Sequence, residues 1–171
     1  ERLRDMAIDG IHAAVLYPSV TLTGAKTYGD EPELQKFCVR AYNEWLGEFC
    51  EQGDGRLFGN CIIPTTGLAD SIAELEWGIK HGHKGALISR FPNGGFDFAA
   101  EDEAFFGLAE EANFPVIVHI GSFLREAENP GSKQAAMSFT DLAFLGRAGG
   151  TKAGSQTLPV TCDLLFSGLF E

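Results

Sequence analysis

Two rhythms of apolar and polar positions take turns along this chain. "RLRDMAIDG" has helical spacing and stops at Gly10. "IHAAVLYP" is a short apolar strand closed by Pro18. Asp30 and Glu33 are placed as a capping pair for a long helix. In that helix Leu34, Phe37, Cys38, Ala41, Trp45, Leu46 and Phe49 keep helical spacing and predict one buried face. The strand "LFGNCIIP" follows, then the helix "LADSIAELEWGIKHG", with Ile72, Leu75 and Ile79 on one side. The strand "GALIS", the helix "EDEAFFGLAEEAN" and a strand ending on His119 continue the series. "LPVTCDLLFSGLFE" predicts a helix that begins after Pro159.

Strands separated by helices require crossover connections, which are right-handed and make a parallel sheet covered on both faces. The near-continuous apolar strands agree, so the fold class is α/β. A chain that begins and ends in helix and holds four clear strands is expected to be the middle of a larger barrel. A complete (β/α)8 barrel takes about 250 residues and eight strands. No low-complexity segment or domain linker interrupts the 171 residues, and "GRAGGTKAGSQ" is a glycine-rich loop.

Composition narrows the partners. The chain is 44% hydrophobic and 22% charged, as ordinary globular domains are. A net charge of -11 argues against nucleic acid and anionic membranes as partners. No apolar run approaches the ~20 residues that span a bilayer. The cysteines, Cys38, Cys50, Cys61 and Cys162, form no C-x-x-C pair and are expected to be buried, reduced thiols. Together with the lack of a visible secretory signal, this predicts a cytoplasmic protein.

In parallel α/β folds the functional groups gather where strands end and the loops to the next helix begin. That rule sorts the histidines. His119 sits at the carboxyl end of its strand, on the functional face. "HGH", His81 and His83, looks like a metal-binding pair but lies between a helix and the next strand, on the opposite face. Histidine there complements a helix C-terminus. His12 opens its strand and is on the same wrong face. For His119 two readings stand: a hydrogen-bonded structural imidazole, or a metal ligand. The other strand-end groups are Tyr17, Thr65, Arg90 and Ser122. Arg90 is the cation among them, and its planar fork suits a substrate carboxylate or a neighbouring acid. Phe91, Phe96, Phe98 and Phe123 either wall a pocket or simply pack. No G-x-G-x-x-G, Walker-type G-K-[ST] or G-x-S-x-G occurs.

Four blocks, "RLRDMAIDGIHAAVLYPS", "AYNEWLGEFCEQGDGRLFGNCIIP", "SIAELEWGIKHGHKGALI" and "NFPVIVHIGS", resemble successive parts of the amidohydrolase-related family. The branch they are most similar to is that of aminocarboxymuconate-semialdehyde decarboxylase and gamma-resorcylate decarboxylase. "LLFSGLFE" resembles the helix before that family's sixth strand. The resemblance implies a partial TIM-type barrel, about strands two to five, as one segment over 1–171. The first strand and the last three would lie outside it. It also implies a divalent metal, zinc first and manganese second, with His119 as the strand-five ligand. The H-x-H of strand one and the aspartate of strand eight would fall beyond Glu1 and Glu171, leaving the segment by itself inactive. Hydrolysis or decarboxylation of a small carboxylate-bearing or cyclic substrate is the implied activity, with Arg90, Tyr17 and Ser122 as substrate-binding residues and a homo-oligomer as the expected state. The competing expectation is a non-enzymatic α/β binding module in which His119 is structural.

Overall fold

The computed structural model describes residues 1–18, 25, 31–118 and 157–170. Helix α1 (Arg2–Ile8) ends at Gly10, whose φ of 70° is the left-handed stop that the sequence predicts. Strand β1 (Ala14–Leu16), helix α2 (Pro32–Glu51), strand β2 (Leu57–Gly59) and strand β3 (Cys61–Ile62) follow. Then come α3 (Leu68–Lys80), β4 (Ala86–Ile88), a 3-10 turn (Ala100–Asp102), α4 (Glu103–Glu111) and β5 (Val116–Val118). Helix α5 covers 157–166, so it starts before Pro159 rather than after it. Proline is tolerated there because first-turn N–H groups have no intrahelical partner.

Every strand pair is parallel, as the helical crossovers demand: β1 with β2, β3 with β4, and β4 with β5. The run "LFGNCII", one strand in the sequence pattern, is two in its bonding. Its first half pairs with β1 and its second half with β4, and the change of partner falls at Asn60. The reason lies in β1. Pro18 has no N–H to donate, and β1 ends two residues before it. The vacated edge of β3 is taken by a side chain: Asn43 on α2 accepts from the Ile62 N–H and donates to the Ile62 carbonyl, both at 2.9 Å. A carboxamide carries one donor group and one acceptor, like a peptide unit, so it can stand in for a neighbouring strand.

The helices attach to the sheet by two different means. Residues Ala86, Ile88, Cys61 and Ile63 face α3 and α4 and form one apolar core with Leu75, Phe105 and Phe91. Burying each large side chain there contributes about 1.5–3 kcal/mol. Ile72 and Ile79 pack against that core, as their spacing predicts. Helix α2 differs. Its buried residues are Gln35, Val39, Asn43 and Leu46. Of the apolar set that predicts a buried face, Leu46 is buried, whereas Leu34, Phe37 and Trp45 are 55%, 74% and 53% exposed. The face is turned because polar anchors, Gln35 and Asn43, fix α2 alongside the apolar Val39 and Leu46. Its N-cap is Glu31, without a side-chain cap bond, and Pro32 takes the first helical position. Glu33 bonds Lys36 at 2.8 Å instead of completing a cap; Asp30 lies outside the described residues.

Candidate functional site

The carboxyl ends of the strands deliver Tyr17 after β1, Thr65 after β3, and Ser89 and Arg90 after β4. His119, Ser122 and Phe123 lie outside the described residues, as does "GRAGGTKAGSQ". Helix α2 fixes the end of β3. The Thr65 N–H and hydroxyl both donate to Gln35 Oε1, at 2.7 and 3.1 Å. Thr65 is therefore a structural tether rather than a substrate contact.

The loop from β4 to α4 forms a rigid rim beside these ends. Buried Asp102 accepts from the Asn93 N–H, the Asn93 amide and the Ala99 N–H, at 2.6, 2.6 and 2.9 Å. The Ser71 hydroxyl lies between the carbonyls of Pro64 and Pro92, at 3.2 and 3.1 Å, and joins the β3 and β4 ends through α3. Gly94 has φ 88°, and a Cβ there would fall 2.9 Å from the Thr65 carbonyl oxygen. Only glycine allows the rim to come that close to β3.

Arg90 is half-buried within this rim. Its guanidinium lies 3.6 Å from the centre of the Phe96 ring, and Nη1 donates to the Ser89 carbonyl at 3.3 Å. A stacked guanidinium loses rotamer freedom but keeps its donors in one plane, the geometry that matches a carboxylate. Phe91 is 1% exposed and meets Phe98 edge-on at 5.7 Å. Those two rings serve packing, and Phe96 carries the arginine. Tyr17 is 45% exposed at the end of β1.

Ser89, between β4 and Arg90, was not singled out by its sequence pattern. It is 1% exposed, and its hydroxyl has no hydrogen-bond partner. A buried orphan hydroxyl costs about 1–3 kcal/mol, which marks a strand-end position where sequence shows only a small residue beside a charged one.

The opposite ends of the strands hold the other histidines. His81 is the residue that caps α3. Its Nδ1 lies 2.7 Å from the Trp77 carbonyl and its ring stacks on Trp77 at 4.1 Å. This is the helix-end role predicted for it. His83 is 4% exposed, and neither ring nitrogen has a hydrogen bond. Burial pushes its pKa down, while the nearby Gly59 and Asn43 carbonyls act the other way. His12, just before β1, is exposed, and its carbonyl accepts from Arg56 Nε at 2.7 Å.

Among the described residues no three His, Cys, Asp or Glu side chains come together as a metal cluster. No described helix is long and apolar enough to cross a membrane. The cysteines are free thiols: Cys61 is buried, and Cys38, Cys50 and Cys162 are half-buried.

No curated protein matches this chain in sequence. A crystal structure from Staphylococcus aureus, of a protein carrying an amidohydrolase assignment, superposes with a TM-score of 0.70 at 20% identity. The match covers 99% of this chain and 54% of that one, so the chain spans about half the length of its structural neighbour. At this identity the likeness speaks for the fold alone: parallel strands and helices in the arrangement of part of that protein. The sequence itself speaks for more, since the amidohydrolase family profile matches residues 13–170. With the parallel order of its strands and the gathering of polar groups at their carboxyl ends, the chain belongs to the amidohydrolase family.

Proposed function

We propose that this chain forms part of a metal-dependent hydrolase or decarboxylase acting on a small carboxylate-bearing or cyclic substrate. The family match over residues 13–170 supports the enzyme class. The observation that carries the substrate reading is Arg90, stacked on Phe96 at the end of β4 with its donors in one plane. In this reading Arg90 grips a substrate carboxylate, and Tyr17 and Ser122 are further substrate-binding residues. The resemblance to the aminocarboxymuconate-semialdehyde and gamma-resorcylate decarboxylases, and the carboxylate-binding role given to Arg90, favour loss of carbon dioxide over hydrolysis.

A divalent ion, zinc first and manganese second, belongs to this reading on family grounds, with His119 as one ligand. The described residues do not form a metal site by themselves, so further ligands would come from other parts of the barrel. Bound there, such an ion would supply Lewis-acid chemistry. What the chain's own residues supply is orientation: Asp102, Ser71 and Gly94 hold the rim, and the rim holds Arg90.

Two measurements test the reading. Metal analysis of the intact gene product should find about one ion per chain, lost in His119→Ala, because a catalytic site needs about three protein ligands. Arg90→Lys keeps the charge and removes the fork, so turnover of a carboxylate substrate should fall at least about tenfold. Unchanged turnover in Arg90→Lys would leave Arg90 a structural residue of the rim.

A further inference from the structure

Among the described residues, three buried side chains carry polar atoms without a hydrogen-bond partner: Asn60, His83 and Ser89. Their places in the fold separate them. Asn60 precedes β3 and His83 precedes β4, on the amino side of their strands. The His83 ring also lies beside the Gly59 and Asn43 carbonyls. Ser89 directly follows β4, at the carboxyl end, where barrels of parallel strands carry their chemistry.

The direction of Ser89 follows from its strand. Ala86 and Ile88 join the core shared with α3 and α4. Side chains alternate along a strand, so Leu87 and Ser89 take the other side. In a barrel, whose helices form the outer ring, that side is the interior. The polar groups nearby are already engaged. The Ile63 N–H meets the Leu87 carbonyl at 3.0 Å, as a regular ladder requires. One step on, the Thr65 N–H and hydroxyl go to Gln35 instead, and the Pro64 carbonyl lies beside the Ser71 hydroxyl. The Ser89 carbonyl accepts from Arg90. At 1% exposure the Ser89 hydroxyl is also out of reach of bulk water. Alanine would fill the same place without leaving a hydrogen bond unmade. Proteins depart from the best local choice chiefly where function asks for it.

We propose that Ser89 is a substrate contact, its hydroxyl donating a hydrogen bond to an oxygen atom of the substrate. This role rests on the reading of the strand ends as part of an enzyme's substrate site. The ligand then brings the partner that the fold does not offer. Arg90, the next residue, lies over Phe96, so the two side chains leave the backbone in different directions and meet different atoms of one ligand. Arg90 supplies charge, and Ser89 supplies selection. An analogue without the oxygen leaves the buried hydroxyl unpaired, and sites built on hydrogen bonds reject such analogues strongly.

The experiment uses the intact gene product and the small carboxylate or lactone that it converts fastest. Ser89→Ala should lower kcat/KM about tenfold or more, the loss of one hydrogen bond in a desolvated site. Measured without substrate, the same variant should melt as high as the parent or about 2–4 °C higher, because the orphan is gone. A purely structural serine gives the opposite pair, a lower melting temperature and unchanged turnover. A clearly lower melting temperature, or an unchanged kcat/KM, overturns the proposal. The comparison with Arg90→Lys keeps the two readings apart. Loss in Ser89→Ala with none in Arg90→Lys removes the carboxylate clamp and keeps Ser89 as a contact. The reverse result removes Ser89 alone.

Discussion

Helices α2 and α3 lie side by side, one positioned mainly by polar bonds and the other mainly by apolar contact. Beneath α3 the contact is mainly apolar: Leu75 shares one core with Ile63, Ile88 and Phe105. Beneath α2 it is a polar seam, in which Asn43 bonds both backbone groups of Ile62 and donates to Glu74, while Arg40 grips the same carboxylate. An apolar contact is non-directional and adapts to a change of shape. A hydrogen-bonded seam fixes position, and any missing partner leaves a buried group that water cannot reach. The difference suits their places, since the α2 seam must replace the strand that ends before Pro18.

Shape-conserving substitutions separate the two helices most sharply. Asn43→Leu keeps the branching but strips partners from the Ile62 N–H and carbonyl and from Glu74. At about 1–3 kcal/mol for each orphaned group, the loss should come to about 4 kcal/mol, read as a lower denaturant midpoint. Leu75→Met in the apolar layer should cost less than about 1.5 kcal/mol in the same assay. Equal losses at the two positions would erase the distinction between the layers.

Acid should act on the base of the seam, where His83 is buried beside the Gly59 and Asn43 carbonyls. Its folded pKa lies below the ordinary 6.5, so as pH falls the unfolded chain takes up the proton first. Stability from this residue is complete above about 6.5 and declines below it, until the native ring is protonated too. Denaturation compared at about pH 7.5 and about pH 5.5 should show this loss, and His83→Gln should reduce it.

Smaller effects should mark the edge of the seam. Arg40→Lys replaces a fork that meets both Glu74 oxygens with a point charge and gives up the stack on Trp77 at 4.4 Å. Because Arg40 is about one-third exposed, solvent screening holds the expected loss to about 1 kcal/mol in thermal unfolding. Glu33→Gln breaks the exposed contact with Lys36 and should leave the melting temperature unmoved within error.

The same contrast explains which features are legible in the sequence. The parallel strands and their order follow from apolar runs that only a covered sheet can bury, and Ile72, Leu75 and Ile79 point inward as their spacing says. For α2 the inference from apolar spacing fails, because Gln35 and Asn43 occupy the inside and aromatics the outside. Periodicity weighs hydrophobicity and cannot see that an amide will replace a strand neighbour. The split at Asn60 is invisible for the same reason. At the site, Arg90, Tyr17 and Thr65 are legible as strand-end residues. The diversion of Thr65 to Gln35 depends on a contact 30 residues away. Ser89 is missed because a serine advertises nothing until its burial and empty hydrogen-bonding capacity are known.

Cys61 lies where β3 passes under α3, and a Cβ on Gly78 would come within 2.6 Å of its Sγ. The thiol has no exposed surface, contacts the Gly85 carbonyl at 3.5 Å, and is driven far above its ordinary pKa by burial. Since the thiolate is the reactive species, this sulfur cannot be alkylated while the strand and helix stay together. Its labelling must wait for the layers to part. Once the other three cysteines have been consumed, the slow fourth alkylation becomes a clock carried within the chain, one that counts how often the whole fold opens in the absence of denaturant.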